Sequence, residues 1–200
     1  GVYMGMKAAA KYKWGSSDLT GRTVLVQGIG NVGRNLVKYL KEEGVDIIIN
    51  DINEKQLIEV SEQYSTRVFS GDKIYDMDVD IYAPCALGST LNPNTISNLK
   101  CAIVAGAANN QLAVEERDGK LLSEKGIIYA PDFLINAGGL INVYSEIKGF
   151  SHEEVINQTK NIYNTTLEIF NKAKKDDVTT HFAALQIAKK IISRKKEIIL

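Results

Sequence analysis

Several features that mark specialised classes of protein are scarce or missing in this sequence of 200 residues. Its two cysteines, Cys85 and Cys101, are too few to form a disulfide framework in a chain of this length. Lysine plus arginine number 24, as do aspartate plus glutamate, so the net charge is zero and a nucleic-acid binder is not expected. The longest apolar runs span only a few residues and the start lacks a secretion-signal pattern, so neither a membrane segment nor export is expected. With a hydrophobic content of 44%, the sequence predicts a soluble cytoplasmic domain with a sizeable core.

What the sequence does contain is an alternation of short apolar runs with amphipathic stretches, the pattern of a parallel sheet covered by helices. Strands are predicted at residues 23–27, 45–50, 66–69, 79–83, 102–105 and 127–129. Helices are predicted at residues 2–14, 31–43 and 54–64, and the chain is predicted to be wholly helical from residue 137 on. One face of the helix at 31–43 is predicted to be apolar, formed by Val32, Leu36, Val37 and Leu40.

Helix boundaries carry signals of their own. Gly15 is a natural stop for the first helix, and Asn53 can cap the helix that follows it. Ser151 and Glu154 have the spacing of a capping box, which predicts the start of a long helix. In a final helix from about Thr180, an inward face is predicted that includes Ile191 and Ile192.

A glycine-rich turn directly follows the first good strand and begins the first long amphipathic helix. Gly28 would permit the sharp turn, Gly30 would let the backbone approach a pyrophosphate, and Gly33 would let helix and strand pack closely. The N–H groups at the positive end of the helix would bind the pyrophosphate oxygens. The alternative is a glycine turn with a purely structural role. The predicted dinucleotide-binding turn comprises Gly28, Ile29, Gly30, Asn31, Val32 and Gly33.

With the alternation of strands and helices, this turn predicts a Rossmann-type α/β fold: a doubly wound, mostly parallel sheet with a C-terminal helical extension. Asp51 strengthens the prediction, because it lies 18 residues past Gly33 at the end of the second strand. A carboxylate there would accept hydrogen bonds from an adenosine ribose and repel the extra phosphate of NADP, which predicts NAD as the cofactor. Alternatively, Asp51 caps the next helix.

Three later segments, at residues 83–88, 105–111 and 129–139, follow the ends of predicted strands, where ligands bind in open α/β sheets. Small residues in these loops would let a cofactor lie against the backbone. Asparagines there offer both a donor and an acceptor, which suits a carboxamide, a ribose or a carboxylate.

In these motifs the sequence resembles the glutamate/leucine/phenylalanine/valine dehydrogenase family, over essentially the whole chain. The resemblance lies in residues 1–9, 26–33, 50–53, 84–88 and 136–139, which occur in the family's order. It implies reversible oxidative deamination of an amino acid to a 2-oxo acid and ammonia, with NAD as the hydride acceptor. It also implies a homo-oligomer when the polypeptide is full length.

Members of that family have two domains, with the active site in the cleft between them. The resemblance implies that residues 1–150 form the NAD-binding domain, including an N-terminal linker helix, and that residues 151–200 pack on it and toward a catalytic domain of the same polypeptide. The catalytic lysines and an aspartate belong to that other domain, and its Gly-Gly-Lys stretch does not occur here. We therefore expect no catalytic residue in this chain and no turnover by it alone.

The resemblance also implies roles for residues beyond the turn. Ile52 would lie with Asp51 at the adenosine end, and the Asn136 carbonyl would face the substrate amino group. Leu140 and Val143 would form an aliphatic pocket wall that suits leucine, valine or isoleucine, or they are plain core. Either Asn109 or Asn110 would reach the nicotinamide ribose or the substrate carboxylate. The remaining implied cofactor contacts are Cys85, Ala86, Leu87 and Ala108.

Other reactive side chains have simpler interpretations. Cys85 has no nearby histidine to activate it, so a small loop or core residue is expected rather than a nucleophile. His152 and His181 lack partners at metal-ligand spacing, so no metal site is expected. Asp132 is either catalytic or a turn or cap residue. A different class of function is a non-enzymatic NAD sensor, but such a role gives no reason for the segment at 136–139. Within the dehydrogenase family, phenylalanine, valine and glutamate are the alternatives to leucine as the preferred substrate.

Overall fold

The computed structural model describes residues 1–71 and 73–199, with side chains described as far as residue 193. Within this part of the chain the strands are β1 (Thr23–Gln27), β2 (Asp46–Asn50), β3 (Arg67–Val68), β4 (Ile81–Pro84), β5 (Ile103–Val104) and β6 (Ile128–Tyr129). The α-helices are α1 (Val2–Trp14), α2 (Asn31–Glu42), α3 (Glu54–Tyr64), α4 (Pro93–Asn98), α5 (Glu115–Glu124), α6 (Asp132–Ile135), α7 (Gly138–Lys148), α8 (His152–Asp176) and α9 (Thr180–Ile199). Each predicted strand is present within two residues of its expected bounds.

All six strands pair in parallel in one sheet, in the order β3-β2-β1-β4-β5-β6. From β1 the chain moves outward through β2 to β3, returns to the other side of β1, and continues from β4 to β6. The direction of winding therefore switches between β1 and β4, and ligands of open α/β sheets bind beyond the carboxyl ends of strands at such a point. The predicted Rossmann-type, doubly wound fold is confirmed.

Successive side chains of a strand point to opposite faces of the sheet, and here both faces are covered by apolar layers. Val24 and Val26 of β1 pack into one apolar layer, which includes residues of α1, α2 and α8. Leu25 packs into the opposite layer, with residues of α4 and α5. This two-sided burial explains why the strands are continuous apolar runs rather than alternating ones.

The predicted helix boundaries are confirmed where they depended on local signals. Gly15 ends α1 with a left-handed φ of 79°. The Asn53 side chain caps α3 by accepting a hydrogen bond from the Gln56 N–H, and Ser151 and Glu154 form the capping box of α8. None of the described helices is long and apolar enough to cross a membrane.

Two predicted helix faces differ from the structure. Leu36 and Leu40 of α2 are buried as predicted, but Val32, in the first turn of α2, is 52% exposed because it lines an open cavity beside α7. In α9, Ile191 and Ile192 are exposed, so their predicted inward orientation is wrong. The buried apolar positions of α9 lie near its start, at Ala183 and Ala184, where it packs against α8.

Candidate functional site

The glycine turn between β1 and α2 is shaped by close backbone packing. Gly28 has a φ of 93°, which L-residues rarely adopt, and a Cβ there would lie 2.7 Å from the Ala86 backbone nitrogen. A Cβ at Gly33 would lie 2.0 Å from the Gly28 carbonyl oxygen. These two glycines therefore have the roles that the sequence predicted, a sharp turn and a close approach of helix and strand.

Gly30 is different, because its surroundings do not require a glycine. Its φ of −62° is open to any residue, and a Cβ built there would meet nothing within 4 Å. Gly30 is the N-cap of α2, and no side chain caps this helix end. Free N–H groups beside open space fit the oxygens of a pyrophosphate, which helix N-termini bind.

Asp51, at the end of β2, is tied to the same turn. Its Oδ2 accepts a hydrogen bond of 2.8 Å from the Ile29 N–H, and its Oδ1 accepts one of 2.9 Å from the Asn53 N–H. The carboxylate is half-buried and supports the turn, and it keeps lone pairs that can accept hydrogen bonds from a further donor. The cap of α3 is formed by Asn53 instead. Ile52 beside it is fully exposed.

The loop after β4 forms the other side of the turn. The Cys85 N–H donates to the Gln27 carbonyl at 2.7 Å, and the Cys85 Sγ accepts from the Ala107 N–H at 3.4 Å. Burial raises the pKa of the Cys85 thiol to about 11, so it is a packing residue rather than a nucleophile. Ala86 lies against Gly28, and Leu87 is 73% exposed at the rim.

The structure brings Asn109, from the loop after β5, into contact with Asn136, from the end of α6. The Asn136 Nδ2 donates to the Asn109 Oδ1 at 2.6 Å and to the Ala107 carbonyl at 3.3 Å. Asn110 lies outside this contact: it has a left-handed φ of 51°, and its carbonyl accepts from the Ser89 N–H. Ala108 is buried beneath the loop. Between the two asparagines, the geometry thus favours Asn109.

A cavity of about 630 Å³ lies where the first turn of α2, the loop after β5 and the start of α7 meet, and its volume is within the usual range for a small-molecule site. Leu140 lines the cavity and is 72% exposed; Val143, one helical turn further along α7, is 55% exposed. Neither residue belongs to the core, so that alternative is wrong. The cavity is lined by Gly1, Val2, Val32, Ala107, Asn109, Phe133, Ile135, Asn136, Ala137, Gly138, Gly139, Leu140 and Thr159. Among these residues there is no carboxylate, lysine or histidine.

Two buried polar residues, Asp132 and Gln111, lie next to the site, and sequence reasoning identified only Asp132 as a candidate. Asp132 is 5% exposed and accepts hydrogen bonds from the Tyr129 O–H at 3.0 Å and from the Gln111 N–H at 3.3 Å. Asp132 is the first residue of α6 and is not part of the cavity lining, which favours the turn or cap role over the catalytic one. Gln111, fully buried, carried no recognisable signal in the sequence, since its partners are backbone carbonyls of its own loop.

The two histidines lie apart from the cavity lining. His152 is exposed at the start of α8, whereas His181 is buried with its Nε2 3.1 Å from the Glu115 carboxylate. In the part of the chain that the structure describes, His, Cys, Asp and Glu side chains form no group of three or more that could hold a metal ion.

This sheet order, with an open glycine turn at the winding switch, is the fold of the dinucleotide-binding domains of dehydrogenases. The chain belongs to the Glutamate/Leucine/Phenylalanine/Valine dehydrogenase family, whose model matches residues 46–197. Enzymes of this family depend on NAD(P).

Individual relatives agree with this assignment. The chain is 46% identical over 197 residues to a leucine dehydrogenase of Thermoactinomyces intermedius and 47% identical over 196 residues to an L-tryptophan dehydrogenase of Nostoc punctiforme. These alignments cover 98% of this chain but 54% and 56% of the relatives, so the chain spans about half their length.

A crystal structure of the Nostoc punctiforme L-tryptophan dehydrogenase, 47% identical, superposes with a TM-score of 0.93 over 96% of this chain and 58% of that one. A hetero-hexameric glutamate dehydrogenase from Thermus thermophilus, 19% identical, shares the fold with a TM-score of 0.74, covering 96% of this chain and 52% of that chain.

Proposed function

We propose that this chain is the NAD-binding part of a dehydrogenase that oxidises L-leucine and other branched-chain L-amino acids to 2-oxo acids, with release of ammonia and NADH. The supporting observation is the cavity of about 630 Å³ beside the first turn of α2. It brings the first turn of α2, at Val32, together with the Asn109–Asn136 pair and the apolar side chain of Leu140. A dinucleotide and a small aliphatic substrate would meet there.

The residues of this chain would bind and orient the two reactants. The N–H groups after Gly30 would hold the pyrophosphate, and Asp51 would accept hydrogen bonds from the adenosine ribose. The nicotinamide ring, when bound, accepts the hydride. The cofactor supplies the chemistry of the hydride transfer, so the contribution of the protein to the rate is to orient the nicotinamide ring and the substrate.

On the substrate side, Asn136 and the exposed face of α7 would make the contacts. No main-chain N–H in the described part of the chain donates to the Asn136 carbonyl oxygen, which leaves it available to a substrate ammonium group. Leu140 and Val143 are one helical turn apart on α7 and would contact an aliphatic side chain. They offer no partner for a second carboxylate, which argues against glutamate.

The proton chemistry would come from outside these residues. Deamination needs a group that removes protons from the substrate amine and from water, and the described cavity lining has no titratable side chain for this role. The relatives are nearly twice as long as the matched region. We therefore place the catalytic lysines and aspartate in a further domain of the polypeptide.

Two measurements test the proposal. Isothermal titration of the 200-residue chain with NAD should show binding, and the same sample should form no NADH from L-leucine. The full-length polypeptide should oxidise leucine, valine and isoleucine with higher kcat/KM than phenylalanine, tryptophan or glutamate. Absence of NAD binding, rapid deamination by the 200-residue chain, or a preference for glutamate would contradict it.

A further inference from the structure

The buried side chain of Gln111 forms hydrogen bonds through its donor end but not through its acceptor end. Its Nε2 donates to two carbonyls of the loop after β5, to Gly106 at 2.8 Å and to Ala108 at 3.0 Å. Its Oε1 is buried and has no hydrogen-bond partner among the described groups. A buried acceptor without a donor is unfavourable, so stability alone does not explain the acceptor end of this side chain.

The two hydrogen bonds determine where the loop presents its other polar groups. The carbonyl of Ala107, which lies between Gly106 and Ala108, contacts the segment that follows α6 instead. There it accepts from the Asn136 Nδ2 at 3.3 Å, beside the Asn109 Oδ1 at 2.6 Å. The loop thus provides both acceptors that orient the Asn136 side chain.

A second connection holds the same two segments together from below. The Gln111 N–H donates to the carboxylate of Asp132, the first residue of α6, and the Tyr129 O–H donates to its other oxygen. Asn136 directly follows α6. The loop after β5 and the segment that carries Asn136 are therefore fixed relative to each other by Gln111 through both its side chain and its backbone.

We propose that Gln111 is a positioning residue, which holds the loop at 106–109 so that Ala107 and Asn109 fix the orientation of Asn136 toward the substrate. This inference rests on the proposed function, since it concerns the amino-acid side of the same cavity. The glycine turn and Asp51 lie on the far side of β4 from this network, so the network should affect substrate more than NAD.

The test uses the full-length polypeptide with Gln111→Met, which keeps the length of the side chain and removes both donors. We expect kcat/KM for L-leucine to fall at least tenfold, while the Kd for NAD, measured by titration, changes less than twofold. In an Asn136→Ala background, Gln111→Met should lower kcat/KM by less than twofold, because Gln111 acts through Asn136. Val60→Ala, a core truncation on α3, is the control for lost stability alone.

Each possible result either supports or overturns the positioning role of Gln111. Wild-type kcat/KM in a folded Gln111→Met variant, or a parallel loss of NAD affinity, overturns the positioning role. Equal effects of Gln111→Met and Val60→Ala on kcat/KM also overturn it. If Gln111→Met does not fold, Tyr129→Phe removes only the O–H that orients Asp132, and an unchanged kcat/KM there overturns the role. A wild-type enzyme that forms no NADH from any amino acid refutes the proposed function itself, which separates the two failures.

Discussion

The exchange of Asp51 for asparagine tests how the chain selects its cofactor. Asp51 supports the glycine turn through the Ile29 N–H at 2.8 Å, and we propose that it also accepts a ribose hydroxyl. Loss of binding alone would not separate these two roles. The ratio of NAD to NADP affinity does, because a weakened turn affects both dinucleotides equally, whereas the charge of Asp51 acts on the ribose end where they differ.

The expected magnitude follows from the charge on the acceptor. Hydrogen bonds to charged groups contribute about 1.5–3 kcal/mol, and about 1.4 kcal/mol corresponds to a tenfold change in affinity. Asparagine keeps one acceptor oxygen, so the loss for NAD should lie at the low end, at about tenfold. NADP carries a 2′-phosphate that the carboxylate repels, so its affinity should stay constant or rise. The preference for NAD should therefore fall by at least about tenfold.

Isothermal titration of each variant with NAD and NADP at 0.15 M salt measures this ratio. Asp46→Asn is the matched control, because it removes the same charge from the other end of β2. Asp46 pairs with Arg67 and lies about 16 Å from Asp51 at the usual rise of a strand, beyond the Debye length of about 8 Å. An Asp51→Asn variant with the wild-type ratio would refute the assignment of Asp51 to the ribose.

Three further predictions concern the turn, the thiols and acid stability. A methyl group at Gly30 meets no protein atom, so Gly30→Ala should leave the melting temperature nearly unchanged and, by titration, weaken NAD binding at least about tenfold. A methyl group at Gly33 meets the Gly28 carbonyl, so thermal unfolding should show Gly33→Ala to be less stable by about 1–3 kcal/mol or more. Burial raises the pKa of the Cys85 and Cys101 thiols to about 11 and about 12, so Ellman's reagent at pH 8 should detect no fast-reacting thiol before unfolding and two after it. Burial alone would raise the pKa of Glu43, but hydrogen bonds from Lys7 and Tyr3 hold this pKa below its ordinary value. The contribution of Glu43 to the free energy of unfolding is therefore complete above the unfolded-state pKa and is lost as the pH falls through the folded-state pKa. Urea unfolding should show Glu43→Gln to be less stable than wild type by about 1–3 kcal/mol at pH 6, with the two curves converging below the folded-state pKa; a constant difference would contradict this.

Local sequence signals were sufficient for most of the fold. Strand β1 and helix α3 lie at their predicted bounds because apolar runs, Asn53 and the glycine turn act over a few residues. The short helices α4 and α5 were not predicted, since α4 has only six residues and α5 has a mainly polar sequence. A local signal for α4 was nevertheless present, since Asn92 and Thr95 form a capping box and Pro93 takes the first helical position. Helix α5 has no capping side chain, and its Leu122 packs into the core layer that contains Leu25.

The site was predictable only in part, for a related reason. The glycine turn and Asp51 are neighbours along two adjacent strands, so their spacing identified them. The choice between Asn109 and Asn110 depends on a contact with Asn136, 27 residues away from Asn109, and on the left-handed φ of Asn110. Gln111 and Asp132 form a hydrogen bond across 21 residues. Such pairs become visible only after the chain has folded.

Packing within the chain explains why some positions of the site need their residue, but it does not explain others. Gly28 and Gly33 are needed because the protein's own backbone would clash with any larger residue. Gly30 meets nothing, and Val32 and Leu140 leave apolar surface in water that could have been buried elsewhere. On α7 this surface is contiguous, since Val143, Tyr144 and Ile147 are exposed along the same face as Leu140. Val32 and Leu140 line one cavity, and the proposed aliphatic substrate and dinucleotide would cover this apolar surface, while the free N–H groups that follow Gly30 would bind the pyrophosphate.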